Sequence, residues 1–84
     1  MILFEYNMNK QIYKILWVDD EIDLLKPYIL FLEEKGYSVF PVNSGEDAFD
    51  DFQKKSIDLI LLDEMMTGMD GIETLKKIKN IQPE

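Results

Sequence analysis

The chain has 84 residues, 46% of them apolar and 31% charged, a balance that supports one small folded domain and excludes a charge-rich disordered tail. Nine basic residues, all lysine, face seventeen acidic ones for a formal net charge of −8, which disfavours direct nucleic-acid binding and invites divalent cations. With neither cysteine nor histidine, disulfide frameworks, the usual zinc clusters and Ser-His or Cys-His catalysis are excluded.

Residues 1–12 are read as an N-terminal extension. Its apolar run stops after four residues at Glu5, has no basic start and shows no small-residue cleavage site, so it does not read as a signal peptide, and Met8 is read as an alternative start. No later run approaches membrane-spanning length, which makes a cytoplasmic protein without a membrane partner the expectation. Residues 13–18 (YKILWV) form a short apolar segment ending abruptly in Asp19, Asp20 and Glu21, as a strand buried on both faces does. Ile22, Leu25, Ile29 and Leu32 then recur at spacings of three and four, predicting a helix over 21–35 that stops at Gly36, with Pro27 tolerated early or moving the start toward Asp23.

Residues 37–42 (YSVFPV) are β-branched and aromatic, and Pro41 removes a ladder donor, so this strand belongs at a sheet edge. Asn43, Ser44 and Gly45 lead into a helix over 46–55 whose apolar side is Ala48, Phe49 and Phe52. IDLILL at 57–62 is a third strand, stopping at Asp63 as the first stops at Asp19. The aperiodic EMMTGMDG is a loop in which Asp70 and Gly71 start the last helix, marked by Ile72, Leu75 and Ile78. Met66 and Met69 read as loop packing, Trp17 as core, and Lys54, Lys55, Lys76, Lys77 and Lys79 as solvated helix faces.

Strands alternating with helical crossovers predict an α/β fold with a parallel sheet covered on both faces. Such sheets bind ligands beyond the carboxyl ends of their strands, where both acidic clusters fall. If the first and third strands are neighbours, Asp19, Asp20 and Asp63 share one pocket. Helix-start acids and a loop aspartate account for either cluster alone, but not for their coincidence at one end of the sheet. Three converging carboxylates repel one another, and magnesium, which takes one or two carboxylates, a carbonyl, waters and phosphate oxygens, is the fitting remedy.

From Lys14 onward the chain resembles the response-regulator receiver domain of bacterial two-component systems, on KILWVDDE and on DLILLDEMMTGMDG. The family pattern has an acidic pair after the first strand and Asp-x-x-Met-Pro-x-Met-Asp-Gly after the third; here only the proline is replaced, by Thr67. The resemblance implies a flavodoxin-like, CheY-like fold truncated to three βα units over residues 13–84, with strand order 2-1-3 and the third strand an open edge prone to self-association. It implies Asp63 as phosphoacceptor, Asp20 and Asp63 as direct magnesium ligands, Asp19 acting through water, and the Met65 backbone carbonyl as a further ligand. Met65 also stands where the family tunes hydrolysis of the acyl phosphate, and a thioether cannot orient water, so a long-lived phosphoryl state is expected. The Ser or Thr and the Lys that end the family's fourth and fifth strands have no counterpart here.

The implied function is a phosphorylation switch, not a turnover enzyme, with a sensor histidine kinase as donor, docking partly on the first helix, and an output domain or partner protein as target. A non-switching interaction module built on the same fold is the alternative. An aspartyl phosphatase would want Asp-x-Asp after the first strand, and Asp19, Asp20, Glu21 breaks that pattern.

Overall fold

The structure is a computed structural model and describes residues 2–5, 13–66 and 70–81. The elements are β1 (Ile2–Glu5), β2 (Lys14–Val18), a 3-10 turn (Ile22–Leu25), α1 (Lys26–Glu34), β3 (Ser38–Val42), α2 (Gly45–Lys54), β4 (Leu59–Leu62) and α3 (Gly71–Ile81). One four-stranded sheet runs in the order β1-β4-β2-β3. β2 lies between β3 and β4 and pairs in parallel with both, through Trp17 opposite Pro41 on one side and Leu61 on the other.

The expected strand order 2-1-3 is corrected by the fourth strand. Residues 2–5, placed in an N-terminal extension outside the sheet order, pair antiparallel with β4 from Ile2 opposite Leu62 to Glu5 opposite Leu59. The edge expected to be open and to drive self-association is therefore covered by the chain itself. The physical reason is burial: Ile2 and Phe4 pack against the core on one face of the sheet, which repays the ordering of a four-residue strand. Met8 and the rest of 6–12 lie outside the described residues, as do Thr67 and Met69.

Alternation along the strands splits the core in two. Leu16, Val18, Ile60 and Leu62 face α2 and α3, joined by Ala48 and Ile78, with Phe49, Phe52, Met66 and Leu75 packed around them. Ile15, Trp17 and Val39 face α1 and meet Ile22 and Ile29, flanked by Leu25 and Leu32. The helix expected over 21–35 is two pieces, because Pro27, in the first turn of α1, cannot supply the amide that a continuous helix needs. Gly36, at φ 100°, ends α1 in the left-handed conformation that glycine adopts without strain, and Tyr37 N–H reaches back to Leu32 O at 3.1 Å.

β3 is the outer strand that Pro41 demands. α2 begins one residue before its expected start, capped by Ser44 Oγ, which accepts from Asp47 N–H at 3.1 Å. β4 begins at Leu59, two residues later than the apolar run suggests, because Ile57 and Asp58 form a buried lead-in. On α3 the buried side is Gly71, Thr74 and Ile78, while Ile72 is 43% exposed. Thr74 can be buried because its hydroxyl donates to Asp70 O at 2.8 Å.

Candidate functional site

The sheet ladder itself places the acidic residues. Asp19 N–H donates to Val42 O at 3.1 Å and Asp63 N–H to Val18 O at 2.9 Å, so the parallel pairing runs one residue beyond β2 and β4 and pins both aspartates at their carboxyl ends. Each then makes the same local turn. Asp19 Oδ1 accepts from Glu21 N–H at 2.9 Å and Asp63 Oδ1 from Met65 N–H at 3.2 Å. One accepted bond leaves a carboxylate further lone pairs to present to a cation.

Asp19, Asp20 and Asp63 each bring a carboxylate oxygen into one group, all within 4.8 Å of one another. Asp19 and Asp63 are half-buried and Asp20 is exposed. Three hard oxygen donors, without sulfur or imidazole, fit magnesium or calcium and not zinc or copper. Beside them lies an open hollow of about 370 Å³ lined by Asp20, Met65, Met66 and Asp70, room for waters and an anionic group alongside a cation. A larger hollow of about 500 Å³, between α1 and α2 along β3, is lined by none of the three clustered carboxylates and is separate from this site. Met65 is 82% exposed and Met66 partly buried against the core.

Two features behind the cluster were not legible as such in the sequence. At Gly71 a Cβ atom would lie 2.1 Å from Asp63 O and 2.9 Å from Glu64 Cα, and Gly71 N–H donates to Glu64 O at 3.3 Å. The first turn of α3 thus rests directly on the backbone of Asp63, an approach only glycine permits. Asp70 caps that turn: its Oδ1 accepts from Glu73 N–H at 2.8 Å, and Glu73 Oε1 accepts from Asp70 N–H at 3.3 Å. This is a capping box with aspartate in the cap position, and the D-x-x-E spacing of Asp70 and Glu73 is the signal that announces it.

The second feature is Asp58, at the opposite end of the β2–β4 pair and 2% exposed. Its side chain accepts from Lys14 N–H at 2.9 Å while its own N–H donates to Lys14 O at 2.9 Å. It locks the register of the strand pair from the end away from the cluster.

Residues 15–84 match the response regulator receiver domain. Over 69 residues, 82% of this chain and 16% of the relative, the sequence is 42% identical to the transcriptional regulatory protein ZraR of Escherichia coli K12. Over 72 residues, 86% of this chain and 29% of the relative, it is 40% identical to the alkaline phosphatase synthesis transcriptional regulatory protein PhoP of Bacillus subtilis. The structure superposes on the chemotaxis protein CheY4 of Vibrio cholerae with a TM-score of 0.78 at 31% identity, covering 84% of this chain and 59% of that one. It superposes on the response regulator TrrA of Thermotoga maritima, solved in complex with Mg2+ and BeF, with a TM-score of 0.76 at 33% identity, covering 83% and 61%. The chain thus spans less than a third of these two curated relatives and about three fifths of these solved chains. Among the described residues no helix is long and apolar enough to cross a membrane. The chain belongs to the response regulator receiver domain family of two-component signalling, with a CheY-like α/β fold.

Proposed function

We propose that this chain is a phosphoacceptor switch in which Asp63 takes a phosphoryl group from a sensor histidine kinase. The observation that carries the reading is the convergence of Asp19, Asp20 and Asp63 within 4.8 Å at the carboxyl ends of neighbouring parallel strands. A carboxylate oxygen of Asp63 forms the new bond to phosphorus as the bond from phosphorus to the donor imidazole breaks, leaving an aspartyl phosphate and a free imidazole.

Asp20 and Asp63 would hold Mg2+ directly, Asp19 through water, with the Met65 carbonyl as a further ligand. The ion supplies positive charge that offsets repulsion between the carboxylates and an incoming anionic phosphoryl group. The structure of the TrrA complex with Mg2+ and BeF supports the assignment by family likeness. Nothing here requires repeated turnover, and the chain is read as a switch, not an enzyme. Met65 projects a thioether from a largely exposed position and cannot position an attacking water, which favours a persistent phosphoryl state.

The outer face of α1 and its leading turn shows Leu24, Tyr28 and Phe31 to solvent at spacings of four and three, a surface that suits a partner protein. The same stripe supports the second reading, an interaction module that does not switch. The relatives' names, transcriptional regulatory proteins, suggest an output in gene control through another domain, in a cytoplasmic bacterial setting. Incubation with acetyl phosphate and Mg2+, followed on a phosphate-affinity gel, tests the proposal. Labelling that disappears in Asp63→Asn supports the switch; a folded chain that never labels favours the module.

A further inference from the structure

The hollow of about 500 Å³ between α1 and α2 lies along β3, across β2 from β4 and β1, and takes no part in the site proposed above. Its floor is apolar: Ile22 and Ile29 meet Pro41 and Val42 of β3. Trp17 stands opposite Pro41 in the strand register and packs with the same two isoleucines, and its Nε1 is buried without a hydrogen-bond partner. A donor of that kind, behind an apolar floor, is suited to a peptide carbonyl as acceptor.

The walls carry charge in one order. Asp23 precedes Lys26 on the first helical segment, and Asp47, Asp50 and Asp51 precede Lys54 on α2. Spacings of three and four put each set on one side of its helix. Both helices start beside the carboxyl ends of the strands, so carboxylates line that end of the hollow and ammonium groups the other. Asp51 is engaged by Lys55 Nζ at 3.1 Å, whereas Asp23, Asp47 and Asp50 have no ion pair among the described residues. These acids are spread along two walls. Among the described residues the carboxylates close enough together to hold a metal ion are Asp19, Asp20 and Asp63, and no wall acid joins such a group. The fitting occupant is therefore an extended cationic body and not a bare ion. An arginine matches the hollow part by part, its aliphatic stem on the apolar floor and its guanidinium forked onto the carboxylates. We infer that the hollow between α1 and α2 docks an arginine-bearing segment of a partner protein, at a place separate from Asp63. The contact is largely electrostatic and weakens as salt is raised.

The test titrates the isotope-labelled 84-residue chain with the peptide acetyl-Arg-Leu-Arg amide and follows the backbone amide resonances. Saturable shifts centred on Val42, Asn43, Asp47 and Asp50 are expected, with or without excess Mg2+, so the result does not depend on the phosphoacceptor reading. The acidic peptide acetyl-Glu-Leu-Glu amide should shift none of them. Asp47→Asn with Asp50→Asn should weaken binding roughly fivefold, as for two exposed charge contacts. Glu33→Gln with Glu34→Gln removes the same charge from exposed positions outside the hollow and should leave the affinity unchanged. Shifts centred on Asp19, Asp20 and Asp63, shifts spread evenly over the surface, or equal weakening in the two variants overturns the inference. If circular dichroism shows that the asparagine variant has lost its fold, the wild-type shift map decides: shifts centred on the hollow support the docking site and any other pattern overturns it.

Discussion

The two ends of the β2–β4 strand pair carry the same side-chain chemistry in opposite circumstances. At one end Asp58 is 2% exposed and exchanges two hydrogen bonds with the backbone of Lys14. At the other, Asp19, Asp20 and Asp63 crowd within 4.8 Å, half-buried or exposed, each of the two at a strand end holding a local backbone amide. A buried carboxylate matched to a backbone donor stabilises a fold, because its partner would otherwise be left unsatisfied. Carboxylates gathered with one another destabilise it until a cation arrives. Paired with a backbone donor, Asp58 supports the fold, and crowded together the cluster carboxylates oppose it, by the same electrostatics applied with opposite sign.

The largest stability effect is expected at Asp58. Asp58→Ala strips the partner from Lys14 N–H and should cost about 2–3 kcal/mol in a urea titration, while magnesium affinity of the remaining folded chain stays near that of the wild type. Loss of magnesium binding without loss of stability would break the comparison. Next comes Gly71→Ala, where the new methyl meets Asp63 O at 2.1 Å and the backbone must give way. About 1–3 kcal/mol of stability should be lost, as for other overpacked sites. Magnesium affinity should fall with it, since the displaced atoms belong to Asp63.

Asp70→Ala removes the cap of α3 and should cost about 1 kcal/mol, read as a lowered urea midpoint with unchanged slope. Smallest in stability is Asp20→Asn. Removing one of three like charges should leave the apo chain as stable as before or more so, yet abolish the magnesium response. Ranked by cation binding, Asp20 has the largest effect and Asp58 the smallest, and that exchange of places is what separates the two ends of the strand pair.

The motif residues were legible in the sequence because their meaning is local and periodic. Apolar runs that break at Asp19 and at Asp63 announce strand ends, and Ile22, Leu25, Ile29 and Leu32 form the inner face of the first helical segment as their spacing requires. Pro41 likewise marked its strand as an edge. What the sequence concealed depends on distant contacts. Ile2–Glu5 is too short for a periodic signal and becomes a strand only because β4 offers an unfilled edge and the core a place for Ile2 and Phe4. Asp58 reads as one polar letter inside an apolar run, and its burial follows from Lys14, 44 residues away. Gly71 reads as a turn glycine; that it bears on Asp63 is a fact of packing between α3 and the loop after β4. The helix split at Pro27 was half legible, since proline's place in a first turn is known but the 3-10 geometry before it is set by how Ile22 reaches the core.

The central claim, that the cluster at the carboxyl ends of β2 and β4 is a magnesium site, is tested most directly by titrating the chain with Mg2+. The reporter is fluorescence of Trp17, buried two residues before Asp19, with circular dichroism to verify folding. The account predicts a saturable response in the wild type and in Asp58→Asn, lost in both Asp20→Asn and Asp63→Asn. A folded wild type with no response, or cluster variants that titrate like the wild type, would contradict it.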